Sequence, residues 1–348
     1  MTGADPDVLV LRRGAHGMSS ERYAEELRER LPDHEVVRAR TPAEERELIA
    51  EVPVATGHAL DADLLDHAEE LRLFACAAAG VGRLPLDALE ERGIAVTNAS
   101  GVHGPNIAEQ VIGSVLVFSR NLHEGVSRGE RGEWRHYRAH HTELADSTVT
   151  VVGLGAIGEA IVERLRPFGP RILGVRYTPE KGGPTDEVFG FDEDPFHEAL
   201  AGTDYLVLAC PLTETTRGLV DAAAFDTLSP ESVVVNVGRG PIIDTDALLD
   251  AVRGNAIRGA ALDVTDPEPL PADHDLWDMG NVIVTPHNAG HTSRYYPRLA
   301  GIVAGNVRRI DGTGKISRTG CVEIQPPARP AIRPSASPVA VSRYCMAR

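Results

Sequence analysis

The chain has 348 residues, of which 42% are hydrophobic and 25% charged, and it carries a formal net charge of −16. Its length suits two domains that each bury a core, and its acidity disfavours both nucleic acid and anionic membranes as partners. No apolar run approaches the roughly 18 residues of a membrane span, and an N-terminus without a basic segment argues against a signal peptide.

The first hundred residues alternate short apolar strands with helical stretches. Strands are predicted over 7–11, 52–57, 71–80 and 93–98. A helix capped by Ser19 or Ser20 is predicted to run through Leu31, and another to lie near 86–92. Strands that alternate with helices indicate a parallel sheet with crossover helices.

The middle of the chain repeats this alternation. Asn106 or a neighbour is expected to cap a long helix over 107–122, and the polar segment 123–141 is expected to be a surface connection without regular structure. Six further strands are predicted, which is enough for a complete doubly wound sheet. They span 149–153, 171–176, 205–210, 232–238, 259–264 and 281–286.

The C-terminal part contains one more helix and a segment of biased composition. The helix is predicted over 294–310 and is expected to return to the first domain. Residues 323–348 are rich in Pro, Arg, Ser and Ala, so we expect a disordered tail. The cysteines, Cys76, Cys210, Cys321 and Cys345, show no CxxC spacing, which favours a reducing cytoplasm and argues against a metal site.

The segment GLGAIG, from Gly153 to Gly158, is a G-x-G-x-x-G motif that follows a predicted strand and opens a predicted helix. In this context Gly153 permits a tight turn, Gly155 lets a pyrophosphate approach the backbone, and Gly158 allows close packing of helix on strand. The helix N-terminus then offers N–H groups to phosphate. The sequence therefore predicts a dinucleotide site; a ligand-free structural turn is the alternative.

Arg176 ends the second strand of this unit, where NAD sites place an acidic residue for the ribose 2′-hydroxyl. A guanidinium instead suits the 2′-phosphate of NADP. Tyr177 and Thr178 add an aromatic surface and a hydroxyl beside it. The sequence favours NADP(H), with NAD as the alternative if Arg176 is only a solvated strand end.

Three later segments place polar side chains at carboxyl ends of predicted strands, where ligands bind in doubly wound sheets. Arg239 lies in NVGRGPIID, Glu268 in ALDVTDPEP and His287 in TPHNAGHT. Arg239 suits a substrate carboxylate, His287 suits proton transfer, and Glu268 suits orientation of the imidazole. Each residue alone is compatible with a structural role, but together they predict reduction of a 2-keto acid.

These motifs resemble the D-isomer-specific 2-hydroxyacid dehydrogenase family over residues 5 to 320, most closely its members from salt-adapted archaea. The resemblance implies an α/β fold of two doubly wound parallel sheets, Rossmann-like and flavodoxin-like. A substrate domain of 1–101 plus 293–322 would be interrupted by a dinucleotide-binding domain of 102–292, with 323–348 as the tail. It also implies a homodimer held through the helix and arm after Asn106.

The resemblance further assigns roles to single residues. It implies Arg239, Glu268 and His287 as the catalytic residues, with Arg239, His287 and backbone at Ala79 and Gly80 binding substrate. Asp263 would bond the nicotinamide carboxamide. The implied cofactor contacts are Gly153, Gly155, Ala156, Ile157, Gly158, Arg176, Tyr177, Thr178, Cys210, Pro211, Thr216, Val237, Gly238, Arg239, Asp263, His287 and Gly290.

The function that follows is an NADP(H)-preferring reductase of small 2-keto acids such as glyoxylate or hydroxypyruvate. Gly82, Arg83 and Cys210 depart from the family's frequent residues, which leaves the substrate open. Two alternatives remain: a dinucleotide-sensing, corepressor-like binding protein without catalysis, and a different dehydrogenase branch such as phosphite oxidation. The net charge of −16 and a chain with only two lysines fit a halophilic origin or a GC-rich genome.

Overall fold

The structure, a computed structural model, describes residues 7–15, 17–136 and 141–313. Two compact units divide the chain: one is drawn from Met1–Val102 and Ser293–Arg348, the other from His103–Thr292. The predicted tail 323–348, together with Cys321 and Cys345, lies outside the described residues.

Strands and helices alternate along both units. The strands are β1 (Val8–Val10), β2 (Val36–Arg38), β3 (Val54–Gly57), β4 (Leu73–Cys76), β5 (Ala95–Thr97), β6 (Thr148–Val152), β7 (Arg171–Val175), β8 (Glu187–Phe189), β9 (Tyr205–Leu208), β10 (Val233–Asn236), β11 (Gly259–Leu262) and β12 (Val282–Val284). The helices are α1 (Ser20–Arg30), α2 (Pro42–Ile49), α3 (Ala62–Asp66), α4 (Leu86–Glu91), α5 (Gly104–Ser119), α6 (Leu122–Glu130), α7 (Ala156–Leu165), α8 (Glu193–Leu200), α9 (Ala222–Thr227), α10 (Thr245–Arg253) and α11 (Tyr295–Thr313).

The first unit contains a five-stranded parallel sheet of order β2-β1-β3-β4-β5. Both of its faces are covered, so the strands are apolar at successive positions rather than at alternate ones. In β1, Leu9 packs in one hydrophobic layer and its two neighbours pack in the other. Helix α11 supplies Tyr295, Tyr296 and Leu299 to the layer that contains α1.

The second unit contains a seven-stranded parallel sheet of order β12-β11-β10-β9-β6-β7-β8. Val234 in β10 packs in one layer, whereas its neighbours Val233 and Val235 pack in the other. The order reverses between β6 and β9, and ligands bind at such a switch point, outside the carboxyl ends of the strands. The two parallel α/β sheets confirm the predicted fold class.

Four expectations were incomplete or wrong in detail. The first sheet has a fifth strand, the edge strand β2, in addition to the four predicted. The second sheet has a seventh strand, the edge strand β8, in addition to the six predicted. The segment expected to be an irregular connection begins with α6, a helix without buried residues. Asn106 does not cap α5, because the helix begins at Gly104 with His103 at the N-cap position and Pro105 in its first turn.

Ser19 does cap α1, since its side chain accepts from the N–H of Arg22. Among the described residues, every helix is too short or too polar to cross a membrane.

Candidate active site

The glycine loop joins β6 to α7. Gly153 has φ of +99°, and a Cβ there would lie 2.7 Å from the Cα of Cys210. A Cβ on Gly158 would overlap the carbonyl oxygen of Gly153, whereas one on Gly155 would meet nothing within 4 Å. The loop is therefore packed closely at its ends and open at Gly155, where the N-terminal N–H groups of α7 begin. This geometry fits a bound pyrophosphate.

Arg176 and its neighbours follow β7. The Arg176 side chain donates through Nη1 to the carbonyl of Gly182 at 2.5 Å, and its backbone N–H donates to Phe189 at 3.0 Å. Tyr177 is 76% exposed, and Thr178 precedes a short 3₁₀ turn. A guanidinium has five N–H donors, so the contact with Gly182 fixes the position of Arg176 and leaves donors for an anion.

The predicted contacts after β9 and β10 include several buried side chains: Cys210 is 3% exposed, Thr216 3% and Val237 8%. Burial raises the pKa of the Cys210 thiol to about 12. The Thr216 hydroxyl donates to the carbonyl of Pro211 at 2.6 Å and accepts from the N–H of Thr213 at 2.8 Å. These side chains shape the loops, so a cofactor contact there would use the backbone.

Arg239 lies in the turn that follows β10. Asn236 fixes this turn from both sides, because its amide donates to the carbonyl of Arg239 at 3.0 Å and accepts from the N–H of Gly238 at 3.0 Å. A Cβ on Gly240 would overlap the carbonyl of Thr265, which explains the glycine at this position. The turn holds Arg239 exposed, with Nη1 donating to the carbonyl of Gly238 at 2.6 Å.

Glu268 and His287 meet beyond the ends of β11 and β12. Nδ1 of His287 lies 2.6 Å from Oε1 of Glu268, and the two side chains are 49% and 43% exposed. Because an ionised carboxylate only accepts hydrogen bonds, Nδ1 carries a proton and Nε2 is left for chemistry. Since β10, β11 and β12 are parallel neighbours, Arg239 follows a strand at the same sheet edge.

Asp263 organises the loop that carries His287. It is 5% exposed and accepts hydrogen bonds from the Thr285 hydroxyl at 2.6 Å and from the N–H groups of Asn288 and Ala289, both at 2.9 Å. Sequence reasoning identified Asp263 as a cofactor contact and missed this role. His287 itself has φ of +53°, a conformation uncommon for a residue other than glycine.

Helix α5 contributes two further side chains that sequence reasoning did not select for the site. Nδ1 of His103 lies 2.8 Å from the carbonyl oxygen of Gly290, and Nδ2 of Asn106 donates to the carbonyl of Ala289 at 2.6 Å. The chain separations are 187 and 183 residues, so no local pattern reveals these contacts.

Ala79 and Gly80 lie in the loop that follows β4 in the first unit. The carbonyls of Ala77–Ala79 accept, in order, from the Tyr295 hydroxyl, the Ala99 N–H at 3.1 Å and the Asn98 side-chain amide at 2.6 Å. The N–H groups of Ala79 and Gly80 have no hydrogen-bond acceptor within the part of the chain that the structure describes. The loop therefore presents donors, which suits a carboxylate ligand.

This chain is similar to known proteins in sequence and in structure. Residues 112–289 match the family model described as D-isomer specific 2-hydroxyacid dehydrogenase, NAD binding domain. The human protein "Glyoxylate reductase/hydroxypyruvate reductase" is 32% identical over 73% of this chain and 81% of its own. The crystal structure of an NADPH-dependent glyoxylate/hydroxypyruvate reductase from Sinorhizobium meliloti, in complex with NADP and sulfate, has a TM-score of 0.72 at 26% identity, over 91% of this chain and 98% of its own.

A longer relative also matches. The D-3-phosphoglycerate dehydrogenase of Methanocaldococcus jannaschii is 33% identical over 74% of this chain and 49% of its own. The chain thus spans about half the length of the phosphoglycerate dehydrogenases that it matches. Among the described residues, no group of His, Cys, Asp or Glu side chains is arranged to hold a metal ion.

Proposed function

Because the chain belongs to the D-isomer specific 2-hydroxyacid dehydrogenase family of NAD(P)-dependent oxidoreductases, we propose that it is an NADP(H)-preferring reductase of small 2-keto acids. The reaction would interconvert a 2-keto acid and a D-2-hydroxy acid. The observation that carries this proposal is the 2.6 Å contact between His287 and Glu268, at the same sheet edge as Arg239 and in the same unit as the glycine loop.

Arg239 would bind the substrate carboxylate. A guanidinium pairs with a carboxylate through two parallel N–H donors, and the exposed Arg239 side chain retains donors beyond its contact with Gly238. In the first unit, the N–H groups of Ala79 and Gly80 are the donors that a carboxylate ligand would use.

His287 would move the proton. A bound nicotinamide supplies or accepts the hydride at the substrate's C2. On reduction, Nε2 of His287 gives a proton to the carbonyl oxygen, and on oxidation it takes the proton back from the hydroxyl. Glu268 would hold the ring through Nδ1 and stabilise the imidazolium that exists before reduction and after oxidation.

The glycine loop and the residues after β7 support a dinucleotide with a 2′-phosphate. The loop is open only where a pyrophosphate would approach, at Gly155. Arg176 stands where a carboxylate would repel a 2′-phosphate, and no acidic side chain among the described residues is hydrogen-bonded to it. The similar structure from S. meliloti is named NADPH-dependent and holds NADP.

The names of some relatives favour small unphosphorylated keto acids as substrates. The human relative is named for glyoxylate and hydroxypyruvate, as is the S. meliloti structure. The phosphoglycerate dehydrogenases that match are about twice as long as the aligned segment. We therefore propose glyoxylate and hydroxypyruvate as the first substrates to test.

A homodimer is the assembly that we propose, formed through α6 and the residues after it. Leu122 is 49% exposed, Val126 64% and Trp134 99%, and the first two lie four residues apart on one face of α6. Two exposed large apolar side chains on one helix face, with an exposed Trp shortly after the helix, favour association. Sedimentation of the wild type and of Val126→Asp tests this: a monomeric wild type would contradict the proposal.

Steady-state kinetics with glyoxylate and hydroxypyruvate, each with NADPH and NADH at low and molar salt, test the proposed function. We expect turnover with higher kcat/KM for NADPH, and we expect Arg176→Asp to lose that preference. His287→Ala should bind NADPH, by fluorescence, yet lose at least about a thousandfold in kcat, because it removes the proton donor. Near-normal turnover of His287→Ala would refute its role, and NADPH binding without turnover of any keto acid would favour the dinucleotide-sensing alternative.

A further inference from the structure

We propose that His103 and Asn106 are positioning residues for proton transfer: from α5 they hold the loop that carries His287. The inference rests on the proposed function, because it gives His287 a catalytic role. It concerns the side chains of His103 and Asn106, which contact the backbone carbonyls of Gly290 and Ala289. Every contact involved lies within the unit His103–Thr292.

The first turns of α5 present three polar side chains to this loop. His103, Asn106 and Gln110 are spaced by three and four residues, so they share one face of the helix. Asn106 donates to the carbonyl of Ala289 at 2.6 Å, and His103 contacts the carbonyl of Gly290 at 2.8 Å. Gln110 makes a longer contact of 3.4 Å with the Thr285 hydroxyl. The helix thus holds the loop on both sides of His287.

Asp263 holds the same loop through the loop's backbone N–H groups. Its carboxylate accepts from the N–H groups of Asn288 and Ala289, while α5 supplies donors to the carbonyls of Ala289 and Gly290. Ala289 is therefore bonded on both sides, and it is 5% exposed. Ala289 follows His287 by two residues, so its hydrogen bonds leave the backbone near His287 little freedom to shift.

The backbone of His287 explains why such support is needed. Its φ of +53° lies in a region that a side-chain-bearing residue adopts only when its surroundings impose it. The backbone N–H of His287 donates to the backbone carbonyls of Asp263 and Thr285, both at 2.9 Å. These bonds fix the start of the loop to the ends of the neighbouring strands. The α5 contacts fix the other end, and together they set the direction of the imidazole.

The contact between His103 and the carbonyl of Gly290 also determines which ring nitrogen of His103 carries a proton. A carbonyl oxygen only accepts hydrogen bonds, so Nδ1 of His103 must be the donor. In its neutral form the ring is therefore the Nδ1–H tautomer, which is a property that can be measured without any substrate.

The alternative is that these contacts only pack α5 against the loop. The kinetics of variants distinguish a positioning role from a packing role. We would compare Asn106→Leu, His103→Leu and His103→Asn with the control Ser114→Ala, which removes a hydrogen bond internal to α5 (3.0 Å, to Gln110). For the two leucine variants we expect kcat with glyoxylate to fall about tenfold, because small misplacements of a catalytic group are costly. The Kd for NADPH should change by less than about threefold.

The conservative variant sharpens this test. The amide of His103→Asn can place Nδ2 near the position of Nδ1, so we expect kcat within about threefold of the wild type. The proposal is overturned if both leucine variants keep kcat within about twofold, if Ser114→Ala loses as much as they do, or if His103→Asn falls as far as His103→Leu.

A second measurement needs no substrate and no kinetic assay. ¹⁵N NMR of the full-length wild type, with His103 assigned by its loss in His103→Asn, reports which ring nitrogen is protonated. The Nδ1–H tautomer supports the contact, and the Nε2–H tautomer overturns the proposal. If the wild type reduces no keto acid, the proposed function fails and with it the catalytic purpose of the contact, while the tautomer still decides on the contact itself.

Discussion

Replacing Asp263 by Asn keeps the shape of the side chain and removes its charge. In the structure, one carboxylate oxygen accepts from the Thr285 hydroxyl and the N–H of Asn288, and the other accepts from the N–H of Ala289. Whichever way the new amide is oriented, its NH₂ faces at least one backbone N–H. A buried N–H without an acceptor costs about 1–3 kcal/mol, and the remaining bonds lose about 1 kcal/mol as they cease to be charge-assisted.

The expected loss is therefore about 3 kcal/mol in the free energy of unfolding. For a unit of this size, 1 kcal/mol shifts Tm by roughly 2–4 °C, which gives a decrease of about 6–12 °C. The assay is a thermal scan of the ligand-free protein, with Asp273→Asn as the control, because Asp273 is an exposed aspartate without a hydrogen bond in the described part of the chain. A decrease below about 2 °C for Asp263→Asn, or an equal decrease for the control, would refute this account of the loop.

Two further predictions concern the glycine loop and a buried thiol. Gly155→Ala should keep the Tm of the wild type, since its Cβ enters open space, yet weaken NADPH binding about tenfold or more. Gly158→Ala should lower Tm, since its Cβ would overlap the Gly153 carbonyl. Equal Tm values for the two variants would contradict this. Because burial raises the pKa of Cys210 to about 12, only about one part in ten thousand is thiolate at pH 8. Mass spectrometry should find Cys210 unmodified by iodoacetamide in the folded protein and alkylated in urea.

Most of the apolar strands were predictable because both faces of each sheet are covered. Such strands appear as short continuous runs, and all six predicted in the second unit are present. The edge strand β8, with the sequence EVF, was not predictable in this way, because it has one neighbour and no buried residue. The helix α6 was missed for a related reason: none of its residues is buried, so it has no apolar face directed at a core of the described chain.

Some residues of the candidate site were predictable from the sequence and others were not. Motif order and strand topology were enough to suggest that Glu268 and His287 act together, and their contact is present at 2.6 Å. The roles of Asp263 and His103 in holding the loop were not predictable, because each depends on which backbone groups a distant segment leaves unsatisfied. Asn106 was selected for the wrong reason, as a helix cap, since the Pro105 signal that places the start of α5 earlier was not used.

The arrangement of the first unit also sets the order in which the protein can be completed during synthesis. Its layer with Val8, Val10 and Leu27 is closed by Tyr295 and Leu299 of α11, which leave the ribosome after the whole of the unit His103–Thr292. The unit His103–Thr292, by contrast, has all its strands once Thr292 is made. The half that begins first therefore finishes second, and during that interval its apolar layer has to be kept from aggregating. Pulse proteolysis of stalled nascent chains should find the middle unit protected before the N-terminal residues are.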